Sequence, residues 1–373
     1  MSLRDYLTAK KRREFLELEN KIDLSPMASQ LEENPDVHCE NLIGSIQVPI
    51  GVAGPLLINK KHVYIPLATT EGALVASVSR GAKALSLSHG VISKSLYHGT
   101  TRGPVFETNS VEKGLMLKEW INTNKTLIAK EAAKTSGHIL YKSAKVKIIG
   151  GNTFIRFVFD TDNAMGMNMV TIATESIVKL IEKKTKIICL AVAGNFDLDK
   201  KPSWLNQIEG RGFEVWAEGT ISKDVLHEVL HTNAKDFYKT WFSKCMLGSH
   251  ASGSMGFNSH FANVVAGIFI ATGQDPAHVV EASQGITTCE VRGENLFISI
   301  NMPSLMVGTV GGGTVLPTQK ASLGIMGITP KTSSRVLAEY IGGAVLAGEL
   351  SLIAALCTRT LGAAHKRLGR RKK

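Results

Sequence analysis

Residues 340–364 are almost wholly apolar over about the length of a membrane span, and few folds can accommodate such a stretch. Glu349 in its middle, Arg359 near its end, and Gly342, Gly343 and Gly348 suit a helix buried in a large soluble core or a subunit interface better than one facing lipid. Burying a helix on every side takes a large core, and 373 residues with 44% hydrophobic content can build one, as two or three domains. The five cysteines (Cys39, Cys189, Cys245, Cys289, Cys357) are odd in number and include no Cys-x-x-Cys pair. They speak against a disulfide framework or zinc knuckle and for a reducing, cytoplasmic setting. Residues 1–13 lack the apolar core and cleavage site of a secretory signal.

The net charge of +11 is partly local, because the tail from His365 onward carries six Lys and Arg side chains. Such a tail can bind nucleic acid, which supplies a non-enzyme reading, but no aromatic-rich recognition module accompanies it. A phosphorylated small molecule is an equally physical partner, and a frayed, solvated terminus is the plain alternative.

Residues 2–20 read as a charged amphipathic helix and 24–41 as a connector broken by Pro26 and Pro35. The breakers in 40–55 predict tight turns rather than one long element. Residues 64–85 predict a strand running into a small-residue helix capped by Thr69 or Thr70, which puts Glu71 in the first turn. There its carboxylate either complements the helix dipole or, since apolar residues follow it, is a buried proton donor.

Residues 104–193 form a self-contained pattern: a strand at 104–108, a helix over 111–134, a strand over 139–149, a Gly150-Gly151-Asn152 turn, a strand over 153–159, a helix over 164–184 and a strand over 186–193. That is the order of a split βαβ, ferredoxin-like domain. Before its second helix, Gly166 permits a ligand near free N–H groups that favour phosphate, although no Rossmann fingerprint is present. The methionines Met165, Met167 and Met169 read equally as core. The last strand empties into Asp199-Lys200-Lys201-Pro202, either a solvated turn or reactive groups on a rigid support.

His227-Glu228-x-x-His231 matches a zincin signature and supplies a rival reading, a zinc peptidase. The apolar stripe of Val225, Leu226, Val229 and Leu230 leaves both histidines on or beside the polar face, and no third ligand is marked. Residues 244–263 are rich in glycine and small polar residues before a helix over 262–271. Asp275 follows that helix, where an N-cap role for the next is the simple explanation, and 307–314 form a glycine-rich loop suited to a nucleotide or to a crowded turn.

Eight stretches occur in one order: Glu40-Asn-Leu-Ile-Gly, Gly51-Val-Ala-Gly-Pro, Ala68-Thr-Thr-Glu-Gly, Thr101-Arg-Gly-Pro, Asn163-Ala-Met-Gly-Met-Asn, Asp199-Lys-Lys-Pro, Gly273-Gln-Asp and Gly308-Thr-Val-Gly-Gly-Gly-Thr. In these, and over roughly residues 40–370, the chain resembles the 3-hydroxy-3-methylglutaryl-CoA reductases, most closely the class I branch without its membrane region. The resemblance implies an α+β fold: a helical N-terminal segment (1–39), a large substrate- and CoA-binding domain around the buried helix (40–103 and 194–373), and an inserted ferredoxin-like βαββαβ NADP-binding domain (104–193). It implies four-electron reduction of HMG-CoA to mevalonate and CoA with NADPH rather than NADH, no metal, and a homodimer or homotetramer with active sites at the subunit interface.

By the same resemblance Glu71, Lys200, Asp275 and His365 are catalytic: Lys200 stabilises the oxyanion, Glu71 protonates the aldehyde-level oxygen, Asp275 tunes both, and His365 protonates the departing thiolate. Arg102, Asp199, Lys201 and Lys244, with Glu40 and Asn41, are implied substrate contacts, and Asn263 is implied to steady Lys200. Ser136, Asn163, Met165, Gly166, Met167, Asn168, Gly311, Gly312, Thr314 and Arg370 are implied cofactor contacts. Three positions depart from the pattern: Asn163 stands for aspartate, Ala193 for serine, and Arg371 for a phosphorylatable serine.

Overall fold

The computed structural model describes residues 8–20, 25, 28 and 39–359. Helix α1 spans Ala9–Asn20. Strands β1 (Ile50–Ile58) and β2 (Lys61–Ala68) form an antiparallel hairpin whose turn residues, Asn59 and Lys60, both have positive φ. The breakers of 40–55 therefore do not prevent a continuous strand. Gly54-Pro55 is absorbed as a register shift between Ala53 and Leu56, since a proline without an N–H is tolerated at a bulge.

Helix α2 (Leu74–Leu87) starts later than the threonines predict. Thr69 Oγ1 accepts from the Glu71 N–H at 2.9 Å and closes a turn before the helix, so Glu71 lies outside its first turn. Strand β3 (Ile92–Arg102) is shared between two parts of the sheet: Ile92–Gly99 pairs with β8 (Arg211–Ile221), while Thr100–Arg102 pairs with β6 (Asn152–Asp160).

After β4 (Val105–Glu107), the helix expected over 111–134 is two, α3 (Val111–Thr123) and α4 (Lys125–Ala133). They part at Asn124, whose side-chain amide donates to Trp120 O at 2.8 Å and so competes with the helical ladder. Strand β5 (Leu140–Ile149), β6, α5 (Met167–Thr185) and β7 (Ile188–Ala191) complete the unit, with antiparallel strand order β7-β4-β6-β5, as in a split βαβ. A cluster of its own, including Phe106, Leu117, Ile121, Phe157, Phe159 and Ile177, fills the space between sheet and helices. Strand β7 is shorter than the 186–193 expected. It is a four-residue edge strand with Ile188 and Leu190 exposed.

The rest of the chain supplies α6 (Trp204–Glu209), β8, α7 (Lys223–Glu228), α8 (Ala234–Trp241), a π-helical turn (Phe242–Gly248), the single turn α9 (Ser249–Ala251), α10 (Phe261–Thr272) and α11 (Val279–Ala282). It ends in β9 (Ile286–Arg292), β10 (Asn295–Leu305), α12 (Pro317–Ile325) and α13 (Ser334–Cys357). The large sheet runs β7-β4-β6-β3-β8-β10-β9, with β5 beside β6.

Helix α13 is the apolar stretch of the C-terminal region. It is long and apolar enough to cross a membrane, yet 83% of its most apolar window is buried inside the fold, against α2, α10, β3 and β8. Gly81 of α2 makes the closest approach, because a Cβ there would lie 1.9 Å from Ala347 O. Glu349, fully buried in this helix, accepts from Ser259 N, His260 N and Thr287 Oγ1 at 2.6–2.8 Å, which meets the requirement that a buried carboxylate be hydrogen-bonded.

Candidate active site

Where the tip of the βαββαβ unit meets the glycine-rich loop after β10, a cavity of about 740 Å³ opens. Its wall brings together Lys200, Asp275 and seven of the cofactor positions expected from sequence: Met165, Gly166, Met167, Asn168, Gly311, Gly312 and Thr314. Helix α5 begins on that wall, and Gly166, at φ +87°, is its N-cap. A side chain there would strike Thr161, so this glycine is needed for the turn itself as well as for any ligand's approach. Asn163 lies just behind: its Oδ1 accepts from Ser334 N at 2.9 Å and its carbonyl from Thr309 N at 2.8 Å, tying the cavity rim to the start of α13.

Lys200 reaches Asp275 Oδ2 at 2.8 Å. Asp275 does two jobs, because its Oδ1 also accepts from Ala277 N as the N-cap expected for the following turn. Burial resists ionisation of Asp275, but hydrogen bonds from Lys200 and Ala277, with the nearby His278 and Lys200 charges, outweigh it and hold the carboxyl below its ordinary range. The loop carrying Lys200 is conformationally tense. Leu198 and Lys200 both have φ near +55°, at a cost of about 1–3 kcal/mol each, so something beneath must hold them.

That support is a buried ionic floor. Arg211, fully buried at the start of β8, donates to Glu281 Oε1 at 2.6 Å, Asp199 Oδ1 at 3.1 Å and Thr101 Oγ1 at 2.8 Å. Glu281 in turn accepts from the Lys200 N–H at 3.2 Å and from Asn206. Arg102 bridges Asp197 Oδ2 at 3.1 Å and Asp199 Oδ2 at 3.8 Å. Burial, then the neighbouring Arg211, lowers Arg156 to about 10. Asp199, His278 and Glu281 lie close enough together to hold a metal, but the Arg211 guanidinium already sits on both carboxylates.

Sequence reading missed Arg211, Asn206, His278 and Glu281. The available signal was Gly210-Arg211-Gly212, a charge set between two glycines, both at positive φ, where a strand begins.

Glu71 and Asn263 are elsewhere. Asn263 Nδ2 donates to Glu71 Oε2 at 3.1 Å, and Glu71 is exposed rather than buried. Within this chain, then, the partner of the Asn263 amide is Glu71. It lies in the first turn of α10, whose 12 residues make a rod about 18 Å long, and Asp275 follows the other end. Lys244 lines a second cavity of about 940 Å³ with Ser249, Ser254, Asn258 and Ser283. Lys201 is exposed, as is Glu40, while Asn41 is half-buried in a turn before β1. Ser136 accepts from His138 N in the turn before β5. His365, Arg370 and Arg371 lie outside the described residues.

The zincin reading fails on geometry. Helix α7 ends at Glu228, and His231, at φ +56°, turns back so that its Nδ1 lies 3.2 Å from His227 O. The two imidazoles do not share a helical face.

The family model described as hydroxymethylglutaryl-coenzyme A reductase matches residues 8–370. A 3-hydroxy-3-methylglutaryl-coenzyme A reductase of Aeropyrum pernix is 46% identical over 96% of this chain and 89% of its own length. That of Methanothermobacter thermautotrophicus is 43% identical over 96% and 92%. Among solved structures, a class II enzyme of that name from Streptococcus pneumoniae, bound to NADPH in open conformations, superposes with a TM-score of 0.72. It is 19% identical and covers 93% of this chain and 96% of its own, a likeness of fold.

Proposed function

The chain belongs to the hydroxymethylglutaryl-coenzyme A reductase family, and from that premise we propose how its residues divide the work. It reduces 3-hydroxy-3-methylglutaryl-CoA to mevalonate and CoA with NADPH. Bound NADPH supplies the reducing equivalents. The cavity fits such a ligand in its chemistry, with the open backbone of Gly311 and Gly312 and the start of α5 on one wall and Lys200 on the other.

In this reading Lys200 stabilises the charge that develops on the thioester oxygen, and Asp275 with the ionic floor holds the ammonium in place. Glu71, steadied by Asn263, donates the proton to the aldehyde-level oxygen, and His365 protonates the thiolate. Arg102, Asp199, Lys201 and Lys244, with Glu40 and Asn41, contact substrate. Ser136 and Arg370 would hold the 2′-phosphate of NADPH, and Asn163 would serve the cofactor from near the start of α5. The separate apolar cluster of the βαββαβ unit supports 104–193 as the inserted cofactor domain of a larger one. Five free thiols agree with a cytoplasmic setting.

One observation carries the oligomeric part of the reading: Glu71 and Asn263 stand at one end of α10 and Lys200 and Asp275 at the other. A complete site then takes Glu71 from one subunit and Lys200 from its partner in a homodimer or homotetramer. Purified protein should oxidise NADPH only when the hydroxymethylglutaryl thioester is present, and absence of turnover refutes the assignment. Mixing inactive Glu71→Gln and Lys200→Ala proteins should restore about a quarter of wild-type activity, since half of randomly mixed dimers carry one intact site of two. No recovery on subunit exchange would put both groups in one subunit.

A further inference from the structure

His278 is fully buried in the short turn Pro276–His278 before α11, yet its Nε2 has no hydrogen-bond partner. The other ring nitrogen, Nδ1, lies 2.5 Å from Glu281 Oε1, the oxygen that also accepts from Arg211 Nη1 and from the Lys200 N–H. A carboxylate paired with a guanidinium only accepts, so Nδ1 carries the hydrogen. Nε2 is 3.7 Å from Asp199 Oδ1 and 3.7 Å from Asp275 Oδ2. The second of these oxygens is the one that holds the Lys200 ammonium. A single imidazole thus links the group that fixes the Lys200 main chain to the group that fixes its side chain.

We propose that His278 is a positioning residue that exchanges with Lys200 on Asp275. When the ammonium turns toward the substrate oxygen, Nε2–H of His278 closes on Asp275 Oδ2 and replaces it as that carboxylate's donor. Without such a replacement, Lys200 would leave a half-buried anion short of a partner, and the barrier to its movement would add to the reaction barrier. Each ring nitrogen has carboxylate oxygens before it, Glu281 Oε1 at Nδ1 and both Asp199 Oδ1 and Asp275 Oδ2 at Nε2. Asp275 and Glu281 on its own segment, with Asp199 from the loop, also face Lys200 and Arg211, and Arg102 bridges Asp199 and Asp197. The inference rests on the assignment of Lys200 to the developing oxyanion.

Two amide substitutions separate the two ring nitrogens, because the asparagine amide reaches where Nδ1 lies and the glutamine amide where Nε2 lies. His278→Asn, which keeps the Glu281 contact, should lose about a hundredfold in kcat with KM within about threefold of wild type. His278→Gln, which keeps the reach to Asp275, should stay within about tenfold of wild type in kcat. A role confined to anchoring Glu281 gives the reverse order, and that order, or wild-type kcat in both variants, overturns the proposal. Should either variant fail to fold, a structure of the wild-type enzyme with substrate decides. The 3.7 Å separation between Nε2 and Asp275 Oδ2 should shorten to a charge-assisted hydrogen bond, and a separation that does not shorten overturns the proposal. Wild-type protein without thioester-dependent NADPH oxidation would instead sink the reductase assignment, and this inference with it, before any variant is made.

Discussion

At the C-terminal end of α10, Asp275 holds Lys200 above a floor of buried charges, whereas at its N-terminal end Asn263 holds an exposed Glu71 by one hydrogen bond. The first arrangement is finished within one chain: the strained Lys200 rests its N–H on Glu281 and the strained Leu198 its carbonyl on Asn206. The second is left open to water. Strain and buried charge are expensive, and they are found where a group must be in place before substrate arrives. If Glu71 is the proton donor and a partner subunit covers it, as proposed, it needs no such support in the single chain.

The contrast is sharpest for Lys200→Ala, expected to lower the rate of the first reduction about a thousandfold with little change in melting temperature; single-turnover NADPH oxidation measures it. An equally large drop in stability would mean that the ammonium is part of the floor and not its cargo. Next in size is Arg211→Leu, which leaves Glu281 and Asp199 without their shared guanidinium and should cost about 3–5 kcal/mol in denaturant unfolding. Glu71→Gln, by contrast, should stay within about 0.5 kcal/mol of wild type in the same experiment, as exposed positions do. If the two substitutions were equally costly, the two ends would not differ as described.

Smaller again is Asn263→Ala, which removes one charge-assisted hydrogen bond to Glu71 and should slow turnover about tenfold while leaving binding of NADPH untouched. The smallest effect is on pH dependence. Asp275 titrates below its ordinary range in the folded chain, so its contribution is complete above the unfolded value of about 3.9 and is lost as pH falls through the lower folded value. Asp275→Asn should therefore unfold more easily than wild type near neutrality, with a gap that closes in acid. A gap constant with pH would show that Lys200 does not depress this carboxyl.

Periodicity carried the βαββαβ order and the buried C-terminal helix into view, because alternation and long apolar runs are properties of single segments. Boundaries set by side-chain chemistry did not follow. Thr69 closes a turn instead of capping α2, and Asn124 divides a helix that reads as continuous. The site was legible as motifs, and the cavity wall gathers seven of the predicted cofactor positions beside Lys200 and Asp275. The ionic floor was not, because His278 and Glu281 lie far in sequence from Asp199, Arg211 and Arg102, and their meaning is purely their meeting. Nor does any motif indicate that Glu71 and Lys200 stand at opposite ends of one helix.

Strand β3 has a mechanical consequence. Its first eight residues are laced to β8 and its last three to β6, and Arg102, at the final position, reaches back to Asp197 and Asp199. The strand acts as a splint across the joint between the two halves of the sheet. Local melting of the βαββαβ unit would release the tip of that splint and let go of Arg102, so the substrate contact proposed for it would fail together with the fold of the smaller unit. Amide protons of Thr100 and Thr101 would then exchange with those of β6, as one cooperative block, rather than with the stretch beside β8.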